Sequence, residues 1–430
     1  MLTSLYTAIT GMGANGSSLS VIGDNIANMN TVGFKASRVA FGDVLSQTIT
    51  GVSGSSQVGR GVFVSDISPL FTQGSFETTA SALDLAIDGD GFFMVQEGGA
   101  RYYTRAGQFN IDKNGYIVNP DNLILQGYLA DAGGNISGAI GDLRIASTQS
   151  PALMTSQANL AVNIDATAAV PAAAFTLDGN GDGTQNDPAN YNFSTTITVY
   201  DSQGGAHEVT AYFVKTAANV WDVNYVHQDP ANPNLLVLAG TQTLAFDPNG
   251  ALVDDNSGTP IDFNFGPSVA APQAIAFNYG TGTAEGGTGL DATTQFAASF
   301  SVLALSQNGY SAGSLKNVII SEDGIVTGVF TNGQTRSIGQ VALARFVAPT
   351  GLTKLGRNLY SESIDSGQPI VGMPVTSGLG RVLANSLELS NVDLAEEFVK
   401  MISSQRGFQA NSRIITTTDE LMQELVNLKR

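Results

Sequence analysis

Cysteine is absent from all 430 residues, which removes disulfides, thiolate nucleophiles and thiolate metal sites at once. Histidine is almost as scarce. His207 and His227 are the only two, in strand-like segments without an HExxH spacing or a nearby nucleophile elbow, so neither metalloprotease nor Ser-His-Asp chemistry has a sequence signal. Charged residues make up 13% of the chain, and 37 acids against 19 bases leave a net charge of −18. That balance argues against nucleic acid and anionic membrane surfaces as partners. No run of 18 uncharged apolar residues suggests a membrane span, and the opening MLTSLYTAIT lacks the basic start and continuous apolar core of a Sec-type signal peptide. What is abundant is glycine, 49 residues, which with so little charge fits short strands and turns better than helical bundles.

The charge is unevenly placed. Residues 148–315 hold fourteen acids and one base, Lys215. Residues 391–430 hold six acids against five bases, and residues 1–40 only Asp24, Lys35 and Arg38. A segment so acidic is expected to be a separate, well-solvated domain that avoids copies of itself, while the near-neutral ends can crowd together.

Those ends share a second property. Leu5, Met12, Leu19 and Ile26 stand seven apart, with Ile9 and Ile22 beside them. Leu394, Met401, Phe408, Ile415 and Met422 do the same, flanked by Phe398 and Leu425. A seven-residue apolar repeat makes a seam along a helix, and a seam needs a partner helix. The C-terminal helix has acids near its start and Lys429 and Arg430 at its end, matching the helix dipole. The N-terminal one carries Gly11, Gly13, Gly16 and Gly23, each costing about 1 kcal/mol against Ala, and is expected to order only when packed. The pair could equally close an ordinary domain within one chain.

Between the ends the pattern is of short strands. Residues 31–70 read as an extended linker with occasional strands, rich in Gly, Ser, Thr and Gln. Asn114-Gly115 and Asn332-Gly333 mark hairpin turns, since Asn-Gly tolerates the positive φ these need. Segments such as FSTTITVYD, HEVTAYFVK and VWDVNYVH extend the β character through the acidic region. Trp221, Tyr212, Phe213 and Tyr225 read as a strand's core face rather than a sugar platform. The expected fold is mainly β and multidomain, with the terminal helices as a coiled-coil pair. Its nested plan places 1–30 with 391–430 as a helical core, 71–147 with 341–390 as an inner β domain, and 148–340 as an outer acidic β domain of one or two parts.

One segment suggests a ligand. Asp178, Asn180, Asp182 and Thr184 occupy alternate positions of a DxNxDG loop, which suits calcium. Ala189 stands where such a loop needs Glu, however, and no clear helices flank it, so an acidic turn is the simpler reading. No other cofactor is indicated. A calcium- or glycan-binding surface protein and a secreted hydrolase are the alternatives to a structural role, but neither needs both chain ends to be helical seams.

VIGDNIANMNTVGFKASRVAFGDVL at 21–45 and the run from Ser390 to Arg430 resemble the two terminal signatures of the bacterial flagellar rod and hook family. AIDGDGFFMV at 86–95, YTRAGQFNIDKNGYIVN at 103–119 and NGQTRSIGQVALARF at 332–346 agree, whereas 148–300 match only in position. Met29 and Phe408 are small departures from the family pattern. The length, the QVGRGV element and the large middle insertion resemble the hook members; the distal rod members are much shorter. The resemblance implies a non-enzymatic subunit that polymerises into a helical tube, with paired terminal helices inside and β domains outside, acting as a flexible joint that passes torque from rod to filament. It also implies a homopolymer outside the cell, export by the flagellar type III apparatus without a cleaved Sec signal, and contacts with the distal rod, the hook cap and the hook–filament junction proteins.

Overall fold

The computed structural model of the chain describes residues 2–44, 47–51, 54–131, 133–145, 149–177, 188–256 and 258–427. The DxNxDG loop with Asp178, Asn180, Asp182 and Thr184 lies outside them. The chain divides into two compact units: residues 1–147, 316–329 and 335–430 form the first, and 148–315 with 330–334 the second.

The first unit begins and ends with helices, α1 (Leu2–Ala27) and α2 (Leu394–Asn427). Asp393 caps α2: its Oδ1 accepts from the backbone N–H groups of Ala395 at 2.8 Å and Glu396 at 3.1 Å, and Glu396 and Glu397 fill the first turn. The segment read as a linker contains a two-stranded ribbon, Ser37–Asp43 against Val62–Pro69, with a register shift between Ala40 and Phe41.

The rest of the first unit is built by late strands returning to early ones. Arg381–Ala384 pairs with Leu85–Asp88, Ser386–Glu388 with Phe76–Thr78, and Leu343–Arg345 with Phe92–Glu97. Phe92, Met94, Tyr103, Phe346 and Tyr360 meet in one buried cluster, with Phe71 packed against it. The glycines of IDGDG make the turn before Phe92 possible, with φ of +108° at Gly89 and +137° at Gly91. Residues 316–329 and 335–340, grouped by sequence with the acidic segment, belong to this first unit. The reason is register: Thr335–Val341 pairs with Ile124–Ala130 on one side and with Ile325–Phe330 on the other.

The second unit has two sheets around one core. Five strands, Phe193–Tyr200, Ala206–Ala217, Val220–Gln228, Leu236–Phe246 and Leu252–Asp254, follow one another as a meander. The other sheet orders Ile261–Phe263, Gln273–Asn278, Gln157–Asn163 and Ser301–Gln307. Phe213, Trp221 and Tyr225 are fully buried in this core, where the Tyr225 hydroxyl lies 2.7 Å from Gln242 Oε1 and 2.9 Å from the Tyr279 hydroxyl. Tyr212 differs from the expected shared face: it points to the opposite side of its strand, against Tyr191 and Phe175.

Both histidines lie in the second unit, against Phe265. The His207 ring stacks on it at 4.2 Å, and His227 meets it edge-on at 5.4 Å. Burial, with His207 nearby, pushes the His227 imidazole below its ordinary value, against the pull of the Gln228 carbonyl and Asp229. The folded state therefore holds this proton less readily than the unfolded chain. Stability from this group is present above about pH 6.5 and is lost as pH falls through the lowered value. The Asp201 carboxyl, beside His207, is held below its ordinary value. Burial works against this but is outweighed by hydrogen bonds from His207 and the Gly205 and Gln203 N–H groups, so Asp201 keeps its contribution to a lower pH. Melting followed by Trp221 fluorescence, the only tryptophan, should shift down between pH 7.5 and 5.5 in the native chain and shift less in His227→Phe.

Candidate assembly interface

The two helices pair antiparallel in a regular register. Gly11 faces Asn411, Asn15 faces Gly407, Ser18 Oγ lies 3.2 Å from Ser404 Oγ, and Asn25 Nδ2 donates to Glu397 Oε2 at 3.2 Å. A Cβ added at Gly11 would come within 2.8 Å of Asn411 Nδ2, and one at Gly407 within 2.8 Å of Asn15 Oδ1. Each glycine thus makes room for an asparagine of the other helix. Each asparagine in turn donates to the carbonyl four residues back on its own helix, Asn15 to Gly11 at 2.7 Å and Asn411 to Gly407 at 3.0 Å. Heptad spacing does not reveal this device, although GMGAN at 11–15 and GFQAN at 407–411 repeat one pattern.

The contact between the helices is consequently made by small and polar residues together with Ile22, and most of the apolar heptad positions lie beside it. Of the residues expected to form the seam, only Ile22 is fully buried in the single chain. Leu5, Met12, Leu19, Ile26, Leu394, Met401 and Ile415 are half-buried, and Ile9, Phe398, Phe408 and Met422 are exposed. The Leu425 side chain lies outside the described residues. Leu394, Phe398, Met401, Ile402 and Phe408 share one face of α2, about a quarter-turn from the line of Glu397, Ser404, Asn411 and Thr418 that meets α1. Phe398 is 48% exposed, Ile402 50% and Phe408 41%. Such a stripe on one helix marks an interaction surface rather than scattered surface apolar residues.

The helices are fixed to the β part of the first unit by a buried charged junction. Lys35 Nζ donates to Glu388 Oε1 at 2.6 Å and to the Thr72 carbonyl at 2.7 Å, and Arg105 approaches Glu388 Oε2 at 3.5 Å. Lys35 and Glu388 are fully buried and Arg105 is 4% exposed. Glu388 also accepts from the Gly74 N–H at 2.9 Å. Burial lowers the Lys35 ammonium and the Arg105 guanidinium from their ordinary values, and the pull of Glu388 opposes this in both. Gly33, at φ +70°, brings its N–H to the Glu388 carbonyl at 2.7 Å where a Cβ would collide with the Ala106 backbone at 2.5 Å.

Two asparagines complete the junction. Asn25 exchanges hydrogen bonds with the Ser37 backbone, receiving at 2.8 Å and donating at 2.9 Å. Asn391 accepts from the Ala36 N–H and donates to the Leu70 carbonyl and Thr72 Oγ1. The end of α1 and the start of α2 are therefore held to the same stretch of chain.

Comparison with known proteins shows what the chain is similar to. Family models match residues 5–35 (flagella basal body rod protein), 86–184 (flagellar hook protein FlgE/F/G D1 domain), 163–310 (flagellar basal body protein FlaE D2 domain) and 383–428 (flagellar basal body rod FlgEFG protein C-terminal). The flagellar hook protein FlgE of Borreliella burgdorferi is 37% identical and aligns over all of both chains. That of Escherichia coli is 35% identical, covering 98% of this chain and 99% of its own. The crystal structure of Helicobacter pylori flagellar hook protein FlgE2 shares the fold at a TM-score of 0.50 and 14% identity, covering 73% of this chain and 100% of that one.

Proposed function

The chain belongs to the flagellar hook protein family, and from that premise we propose that its copies polymerise into the helical tube of the bacterial flagellar hook. Membership of this family supports a structural, self-associating subunit of the flagellum and a non-catalytic role. In the proposed polymer the paired termini form the inner layer, 71–147 with 316–329 and 335–390 the next, and the acidic 148–315 with 330–334 the outermost. The tube bends as a universal joint and passes torque from rod to filament. Its ends meet the distal rod, the hook cap and the junction proteins, and its subunits leave the cell through the flagellar type III apparatus.

The observation that supports this most is the uncovered stripe on α2. A helix that met all its needs inside one chain would turn Leu394, Phe398, Met401 and Phe408 towards α1; here the glycine–asparagine contact occupies that position. Contacts between identical chains that do not close into a ring build a helical polymer. The strong negative charge of 148–315 suits an outer layer whose neighbours slide or part when the tube bends. Purified full-length chain should form tubes visible by electron microscopy, and removal of 1–30 or of 391–430 should leave soluble protein. Tubes formed by either truncated chain would count against the proposal.

A further inference from the structure

The first unit also holds a cavity of about 380 Å³, lined by Phe71, Phe92, Arg105, Arg345, Phe346 and Val347 among others. Its aromatic wall is continuous, with Phe92 edge-on to Phe71 at 5.2 Å and to Phe346 at 5.9 Å. Two guanidinium groups line it. Arg105 is nearly buried and spends its Nη1 and Nη2 on Glu388 and the Gly89 carbonyl, while its Nε has no hydrogen-bond partner. The Arg345 side chain is half-buried and makes no hydrogen bond or ion pair among the described residues. Asp90 lines the same cavity, so Lys35, Arg105 and Arg345 stand against Glu388 and Asp90, which leaves one positive charge in excess. Val347, at 81% exposure, leaves apolar surface beside it.

We propose that this cavity receives an aspartate or glutamate side chain from a second copy of the chain, held by Arg345 with Arg105 behind it. A guanidinium fork matches a carboxylate in shape and charge. A cationic, aromatic-walled cavity in a chain of net charge −18 is complementary to most of its own surface. A polymer presents that surface at high effective concentration, so the inference rests on the hook-polymer reading. Covering Val347 would add apolar burial to the ion pair.

The test is the critical concentration for assembly of the full-length chain, measured by pelleting. Arg345→Glu should raise it by roughly tenfold or more and Arg345→Ala by a smaller factor, with Arg345→Lys between Ala and the native chain. The melting temperature of the free chain should not change, because Arg345 has no intrachain partner to lose. The gap between native chain and Arg345→Ala should narrow at about 0.5 M salt. In a second measurement, a photo-crosslinking residue at Val347 should join, in polymers, to an acidic segment of another copy. An unchanged critical concentration in Arg345→Glu, or crosslinks within one chain only, would overturn this inference while leaving the polymer intact. Failure of the native chain to assemble would instead overturn the polymer reading, and this inference with it.

Discussion

Glu388→Gln is expected to destabilise the first unit by about 3–5 kcal/mol, because it leaves the buried cations Lys35 and Arg105 without their shared anion. For a unit of this size that is a fall in melting temperature of roughly 6–20 °C. Gln keeps the shape and can still accept from the Gly74 N–H, so the loss is of charge rather than of packing. Lys35→Met should be milder. Burial already works against the Lys35 ammonium, and Arg105 would continue to neutralise Glu388. Circular dichroism at helical wavelengths should report the early loss in Glu388→Gln, while the Trp221 fluorescence transition of the second unit stays in place. Equal stability of Glu388→Gln and the native chain would mean that the junction is incidental.

The second large effect concerns assembly and not folding. In Phe398→Asp/Phe408→Asp each new side chain replaces one that is about half exposed in the single chain. Phe and Asp have similar helix propensities, a difference of about 0.2 kcal/mol per position, so the free chain should remain folded. In the polymer each phenylalanine would contribute about 0.7–1.5 kcal/mol by burial of its exposed half, and each aspartate would instead cost about 1 kcal/mol or more to desolvate. The sum is at least about 3 kcal/mol, equivalent to a rise of roughly a hundredfold or more in the concentration needed for assembly. Pelleting over a range of protein concentrations reads this directly.

The architecture was open to reading because its signals are local or periodic. The Asn114-Gly115 and Asn332-Gly333 turns appear with φ of +86° and +79° at their glycines, and the terminal heptads appear as α1 and α2. What could not be read was which face of each helix meets the other. Apolar spacing selects Leu5, Met12 and Leu19, but close approach of two backbones selects Gly11 and Gly407, whose value lies in what they lack. Hydropathy is silent on that. The Lys35–Glu388–Arg105 junction was hidden for another reason: Glu388 is 353 residues from Lys35 and 283 from Arg105, and a charged side chain in isolation reads as solvated surface. The boundary near residue 316 likewise depends on register with Ile124–Ala130, a long-range pairing with no local mark.

The central claim is that the stripe beside the glycine–asparagine contact, and not added charge on α2 in general, decides assembly. Its most direct test compares the critical concentration of Phe398→Asp/Phe408→Asp with that of Ser403→Asp/Ala410→Asp. The second pair adds the same charge at exposed positions on the opposite side of the helix. The control pair should form tubes near the native concentration, and the stripe pair should remain a folded, soluble chain. Tubes from the stripe pair at the native concentration, or equal failure of both pairs, would contradict the claim.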